Sequence, residues 1–201
     1  MTMTLLDWRR RVAALYAAAR TASDPESGWR SWREGRDELF ASHPDSPLDE
    51  SARATFTGLP FAPYDPAQRF EVVVEPAAAQ RLEVPTASDG IVPFERIGTA
   101  DLGELGRLDV WWLDSYGGGI FLPFRDGTAG SGTYGAGRYL LDTVKGADLG
   151  GAGDRLVLDL NFAYHPSCTY DPRWSCPLPP EGNRIPAPVA AGEQLPPGGW
   201  Y

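Results

Sequence analysis

The pattern of apolar and polar positions divides the chain into three stretches. From Leu5 to Arg20 the residues Leu5, Trp8, Val12, Leu15, Tyr16 and Ala19 recur at steps of three and four, which places them on one face of a helix. Asp24-Pro25 reads as an N-cap followed by proline at the first helical position. Trp29, Trp32, Arg36, Leu39 and Phe40 then form a second stripe that runs to His43-Pro44. Ser46-Pro47-Leu48-Asp49 predicts the start of a third, short helix ending before Gly58, with Ser46 as cap and an acidic group three residues on.

After Pro66 the period shortens to two. Phe70, Val72 and Val74 alternate with polar or part-exposed neighbours, as on a half-buried strand. Further strands are predicted over 80–86, 93–99, 106–114, 119–124, 132–142 and 155–161. The turns between them are signalled by Ser88-Asp89-Gly90, the run from Tyr116 to Gly119, and Asp126-Gly127. Short strands with tight turns and no helical pattern between them predict a mostly β, α+β fold: an antiparallel meander closing into a barrel or sandwich.

From Pro166 onward, prolines at 166, 172, 177, 179, 180, 186 and 188 exclude central strands and predict an ordered strap over the sheet, anchored by Trp174 and Trp200. The expected organisation is one domain: a helical part over 1–58, a β core over 68–163, a wrapping segment over 164–195, and a loose tail over 196–201.

Composition narrows the function classes. The formal net charge is −9 and Lys145 is the single lysine, which argues against nucleic acid as a partner. No apolar run has the length of a membrane span, and the charges at Asp7 and Arg9 to Arg11 break the apolar centre a signal peptide requires, so a cytoplasmic protein is expected. Two cysteines are too few for a disulfide-built scaffold. No cofactor is clearly implied, and the sequence is silent on oligomeric state.

Four segments resemble a known bacterial family, domain of unknown function 1684: WREGRDELFASHPDSPL, FTGLPFAPYDPAQRF, IFLPFRDGTAGSGTYGAGRYL, and the long stretch from LDLNFAYHPSC to IPAPVAAGE. The resemblance spans Trp29 to Glu193. It implies no reaction, because the family's function is unassigned. Where such proteins commonly read AYNP, this chain has Ala163-Tyr164-His165-Pro166, which weakens any essential role for His165.

Two stretches carry candidate chemistry. Between Phe124 and Asp142, five glycines from Gly127 to Gly137 allow close approach of backbone to a ligand or a strand. Around them Arg125, Asp126, Tyr134, Arg138, Tyr139 and Asp142 offer planar cationic forks, carboxylates and hydroxyls suited to a small polar or anionic molecule, with Asn161 and Tyr164 as further members. The competing structural reading is a long hairpin with Arg138 paired to Asp142 or Asp126. The glycines match neither a dinucleotide fingerprint nor a phosphate loop.

The second stretch, Tyr164 to Cys176, holds His165, Cys168, Asp171 and Cys176. These residues suit a metal site, a Cys168–Cys176 disulfide, or two free thiols packed near Trp174. The other histidine, His43, suits a helix C-terminus. Trp111 and Trp112, being adjacent on a strand, point to opposite faces, one inward and one towards the helices. The favoured expectation is therefore a small-molecule-binding β domain. The alternatives are a metal- or thiol-dependent enzyme at His165, Cys168 and Cys176, and an interaction module.

Overall fold

A computed structural model of the protein describes residues 3–86 and 90–200. Three helices come first: α1 (Met3–Arg20), α2 (Pro25–Ser42) and α3 (Glu50–Ala54). The Asp24 carboxylate accepts a hydrogen bond from Ser27 N–H, with Pro25 in the first turn, so the second helix starts where its cap signal placed it. It ends at His43, whose N–H donates to Leu39 O and whose ring accepts from Asp45 N–H and lies 3.3 Å from Asp7 Oδ2. The third helix starts three residues later than expected. Asp49 caps it through Ala52 N–H, while the Ser46 hydroxyl is used in the preceding turn, donating to Phe40 O and accepting from Leu48 N–H. An aspartate at the junction outcompetes the serine because its charge also suits the helix start.

The β part is one antiparallel sheet rolled into a half-barrel, made of β1 (Arg69–Glu75), β2 (Arg81–Thr86), β3 (Gly90–Asp101), β4 (Arg107–Leu113), β5 (Gly119–Phe124), β6 (Arg138–Asp142), β7 (Gly151–Ala152) and β8 (Arg155–Asp159). Their order is β6-β5-β4-β3-β1-β8-β7, with β2 also on β3. The long β3 serves two partners along one edge: its first half pairs with β2, and its last residues pair with the end of β1. Of the turn expected at Ser88-Asp89-Gly90, residues 88 and 89 lie outside the described residues.

The strand expected over 132–142 is only its last five residues. Residues 126–137 form a compact chain of turns instead, with Gly130 N–H on Thr133 O and Gly137 N–H on Tyr134 O. Gly137 enters β6 at φ +104°, and a Cβ there would lie 2.5 Å from Phe124 O. The pairing of β5 with β6 then slips between Leu122 and Pro123, leaving Leu140 as an extra residue. This bulge resets the alternation. Leu140 and Leu141 both enter the sheet core, Tyr139 and Asp142 come to share one side, and the expected Arg138–Asp142 pairing does not form.

The strap does more than wrap the sheet. Ile185, Val189 and Ala191 are buried in the main core with Leu108, Val110, Leu122 and Phe124, filling the side of the half-barrel that strands leave open. Ile185 and Val189 each contribute on the order of 1.5–3 kcal/mol when fully buried, and Ala191 less. Asn183 fastens its start: its amide donates to Asp109 O and Pro123 O and accepts from the Trp111 indole N–H.

Two expected anchors behave differently. Trp200 packs on Phe56 and Tyr170, in a turn where Gly199 N–H donates to Pro196 O, so the tail is structured through residue 200. Trp174 is 43% exposed, with Arg173 over its ring, and anchors nothing. Trp111 and Trp112 do face opposite sides, but Trp112 stays exposed beside Gly118 rather than meeting the helices.

Candidate functional site

The glycine-rich segment and the strap meet, but around a clamp rather than a hollow. Arg138 is fully buried. Its guanidinium donates to Asp126 Oδ1 at 3.1 Å, to Val189 O at 3.3 Å and to Glu193 O at 3.2 Å, reaches Ala191 O, and lies over the Phe124 ring. Asp126 in turn accepts from Val189 N–H and from the Thr128 hydroxyl. Burial lowers the Arg138 pKa, an effect Asp126 opposes. A cation so enclosed satisfies strap carbonyls; it has no face for a ligand. Arg138 and Asp126 are thus paired with each other.

Asn161 is likewise committed. Its amide donates to Asp65 O and Asp159 Oδ1 and accepts from Asp65 N–H. Arg125 lies elsewhere, with Arg184 in an open groove. The Tyr134 N–H donates to His165 Nε2.

A cavity of about 120 Å³ lies instead where α1 and α2 pass over the end of β6. Trp8, Arg9, Val12 and Tyr16 come from α1, and Arg36 and Phe40 from α2. Tyr139, Asp142, Lys145 and Tyr164 lie opposite, with Pro166, Tyr170 and Cys176 of the strap closing a side. Of the expected ligand residues, the structure gathers Asp142 and Tyr164 here; Arg125, Asp126, Tyr134, Arg138 and Asn161 do not line it.

The cavity's polar groups are incompletely satisfied. The proton of the buried Tyr16 hydroxyl, which lies beside the Trp32 indole, has no acceptor, and neither has Arg36 Nε. Burial raises the pKa of Tyr16, Tyr139 and Tyr164, so all three stay protonated as neutral donors. Tyr139 spends its proton on Pro177 O. Asp142 pairs with Lys145 at 3.0 Å, whereas Arg9 has no ion pair among the described residues.

Beneath the cavity runs a network the sequence reading missed. Glu193, fully buried, accepts from Arg36 Nη2 at 3.1 Å, from His165 N–H at 3.1 Å and from the Tyr170 hydroxyl, with His165 Nδ1 at 3.5 Å. Burial pushes its carboxyl up, but the His165 donors, Arg36 and Tyr170 together outweigh it and hold the pKa below the usual carboxylate value. A signal existed. Arg36 is the one charge in an apolar helical stripe, and Glu193 is the one charge in Ala190-Ala191-Gly192-Glu193 and its apolar surroundings. Each demands a partner once buried.

His165 accepts from Tyr134 N–H at Nε2 and faces Glu193 Oε1 with Nδ1 at 3.5 Å. It does not join the thiols: among the described residues no group of three His, Cys, Asp or Glu side chains is placed to hold a metal. Asp171 pairs with Arg173. Cys168 and Cys176 do come together, as thiols not joined by a disulfide and in mutual hydrogen-bond contact. That contact raises the Cys168 pKa and lowers that of Cys176.

Comparison with known proteins agrees with this fold and adds no reaction. No curated protein matches the chain. Among the described residues no helix is long and apolar enough to cross a membrane. A solved structure, the solution NMR structure of an uncharacterized protein from Haloarcula marismortui, is 33% identical over 85% of this chain and 94% of its own, with a TM-score of 0.60. The family model for protein of unknown function DUF1684 matches residues 54–194, and the chain belongs to that family.

Proposed function

We propose that this protein binds a small molecule with a polar or anionic end in the cavity between α1, α2 and β6. The observation that carries the reading is that the Tyr16 hydroxyl proton and Arg36 Nε, of two buried side chains lining the cavity, meet no acceptor. Leaving a buried donor unsatisfied costs about 1–3 kcal/mol, a cost that a ligand acceptor in the cavity removes. Arg9, which has no ion pair among the described residues, favours a negative group, and Tyr164 offers a neutral donor and a flat face. Concave sites with a few convergent polar groups on a largely apolar wall are the usual form of small-molecule sites.

Thermal unfolding in the presence of butyrate, benzoate, inorganic phosphate and taurine tests the reading. At least one probe should raise the midpoint of the wild-type protein, and the rise should shrink in Tyr16→Phe. A rise of equal size in that variant, or none with any probe, would overturn the assignment.

A further inference from the structure

A second and larger hollow, about 480 Å³, opens along the half-barrel and shares Arg9, Asp142, Lys145 and Cys176 with the cavity. The two adjoin across these four residues, a narrow inner end beside a wide outer arm. The outer arm is apolar in character. Phe94, Phe121 and Ile120 line it together with Ile91 and Val144, which are 64% and 39% exposed. Aliphatic surface left open to water beside a buried aromatic wall gives an apolar group a face on which to bury area, at about 25 cal/mol per Å².

The charges at the junction are nearly balanced. Arg36 is neutralised by Glu193 and Lys145 by Asp142, which leaves Arg9 as the uncompensated cation. The inner end holds only about 120 Å³, lined by side chains of both helices and the strap, so it takes the terminus of a molecule and not a chain passing through.

We infer that the site takes a monoanionic single-chain amphiphile, a carboxylate with an aliphatic tail. The head lies between Arg9, Lys145 and the Tyr16 hydroxyl, and the tail lies along Ile91, Phe94, Phe121 and Val144. This rests on the small-molecule reading above and specifies the chemical class of the ligand.

Isothermal titration of the full chain with butyrate, octanoate and monomeric decanoate, and with decanol, tests the inference. Affinity should rise about threefold to fourfold with each methylene buried in the arm. Decanol should bind at least tenfold more weakly than decanoate. Arg9→Ala, a change on a part-exposed helix face, should cost decanoate about tenfold and leave decanol unchanged. Ile91→Ser, at an exposed strand position, should weaken decanoate and leave butyrate unaffected.

Equal affinity for butyrate and decanoate would overturn the amphiphile while leaving a small-anion site intact. Decanol binding as tightly as decanoate would overturn the anionic head. Binding of phosphate or taurine with no carboxylate binding would reject the amphiphile alone, and silence from every probe would reject both readings.

Discussion

At the scale of the residue, the decisive distinction is between a buried charge held by the strap and one that borders a cavity. Arg138 and Arg36 are both buried arginines whose Nε has no hydrogen-bond partner. Arg138 makes contacts to one carboxylate and three strap carbonyls, whereas Arg36 shares Glu193 with the His165 N–H and the Tyr170 hydroxyl and lines a cavity. The first is a rivet and the second part of a wall. Removing one partner of a buried pair leaves a stranded charge and typically costs 3–5 kcal/mol. Arg138→Ala should accordingly lower unfolding free energy by about 3–5 kcal/mol in denaturant titration, and adding Asp126→Ala should restore part of the loss; an Arg138→Ala protein of wild-type stability would contradict the clamp. Tyr16→Phe should do the opposite. It deletes a hydroxyl whose proton meets no acceptor, without changing ring volume, so the unliganded protein should be as stable as wild type or up to about 1 kcal/mol more stable.

At the scale of the element, the sequence was legible where one local rule decided the outcome. Asp24-Pro25 capped α2, and the two-residue period of Phe70, Val72 and Val74 became β1. It was misleading where two rules competed. The stretch from Gly132 to Asp142 reads as a strand by its ends, yet its glycines fold into turns and a bulge at Leu140 reverses which side chains share a side. Arg138 was thereby taken from the ligand set and Tyr139 and Asp142 were placed together. No one-dimensional pattern marks a bulge whose extra residue is an ordinary leucine. The turn that sets it up is testable. Gly137→Ala places a Cβ against Phe124 O in a left-handed conformation, and should destabilise by about 2–3 kcal/mol. Gly130→Ala, where a Cβ meets open space, tests the backbone strain alone and should cost less.

At the scale of the whole molecule, the half-barrel, the helices and the strap are joined through Glu193, which lies more than a hundred residues from Arg36 in the chain. This joint was invisible in sequence because neither residue's partner is local; only the oddity of a charge within an apolar stripe hinted at it. It also sets a pH dependence. The folded protein holds the Glu193 carboxyl below its ordinary value of 4.5, so the stability it contributes is complete above that pH and is lost as pH falls through the lower folded value. Asp37 and Asp159 act in the other direction. Burial raises both, so their ionised forms cost stability at neutral pH, a cost that acid relieves. Comparing wild type with Glu193→Gln isolates the first effect. The stability gap should be about 3 kcal/mol at pH 7 and should narrow below pH about 4.5; a gap that stays constant down to pH 3 would mean that Glu193 is not ionised in the fold.

The position of a bound ligand separates the cavity under the helices from the groove at Arg125 and Arg184. Amide chemical-shift mapping of the uniformly labelled protein during titration with decanoate reads that position directly. Shifts concentrated at Trp8, Tyr16, Lys145, Tyr164 and Cys176 are predicted, with Arg125, Arg138 and Arg184 unmoved. Shifts centred on Arg125 and Arg184 would place the site on the opposite groove and contradict the account.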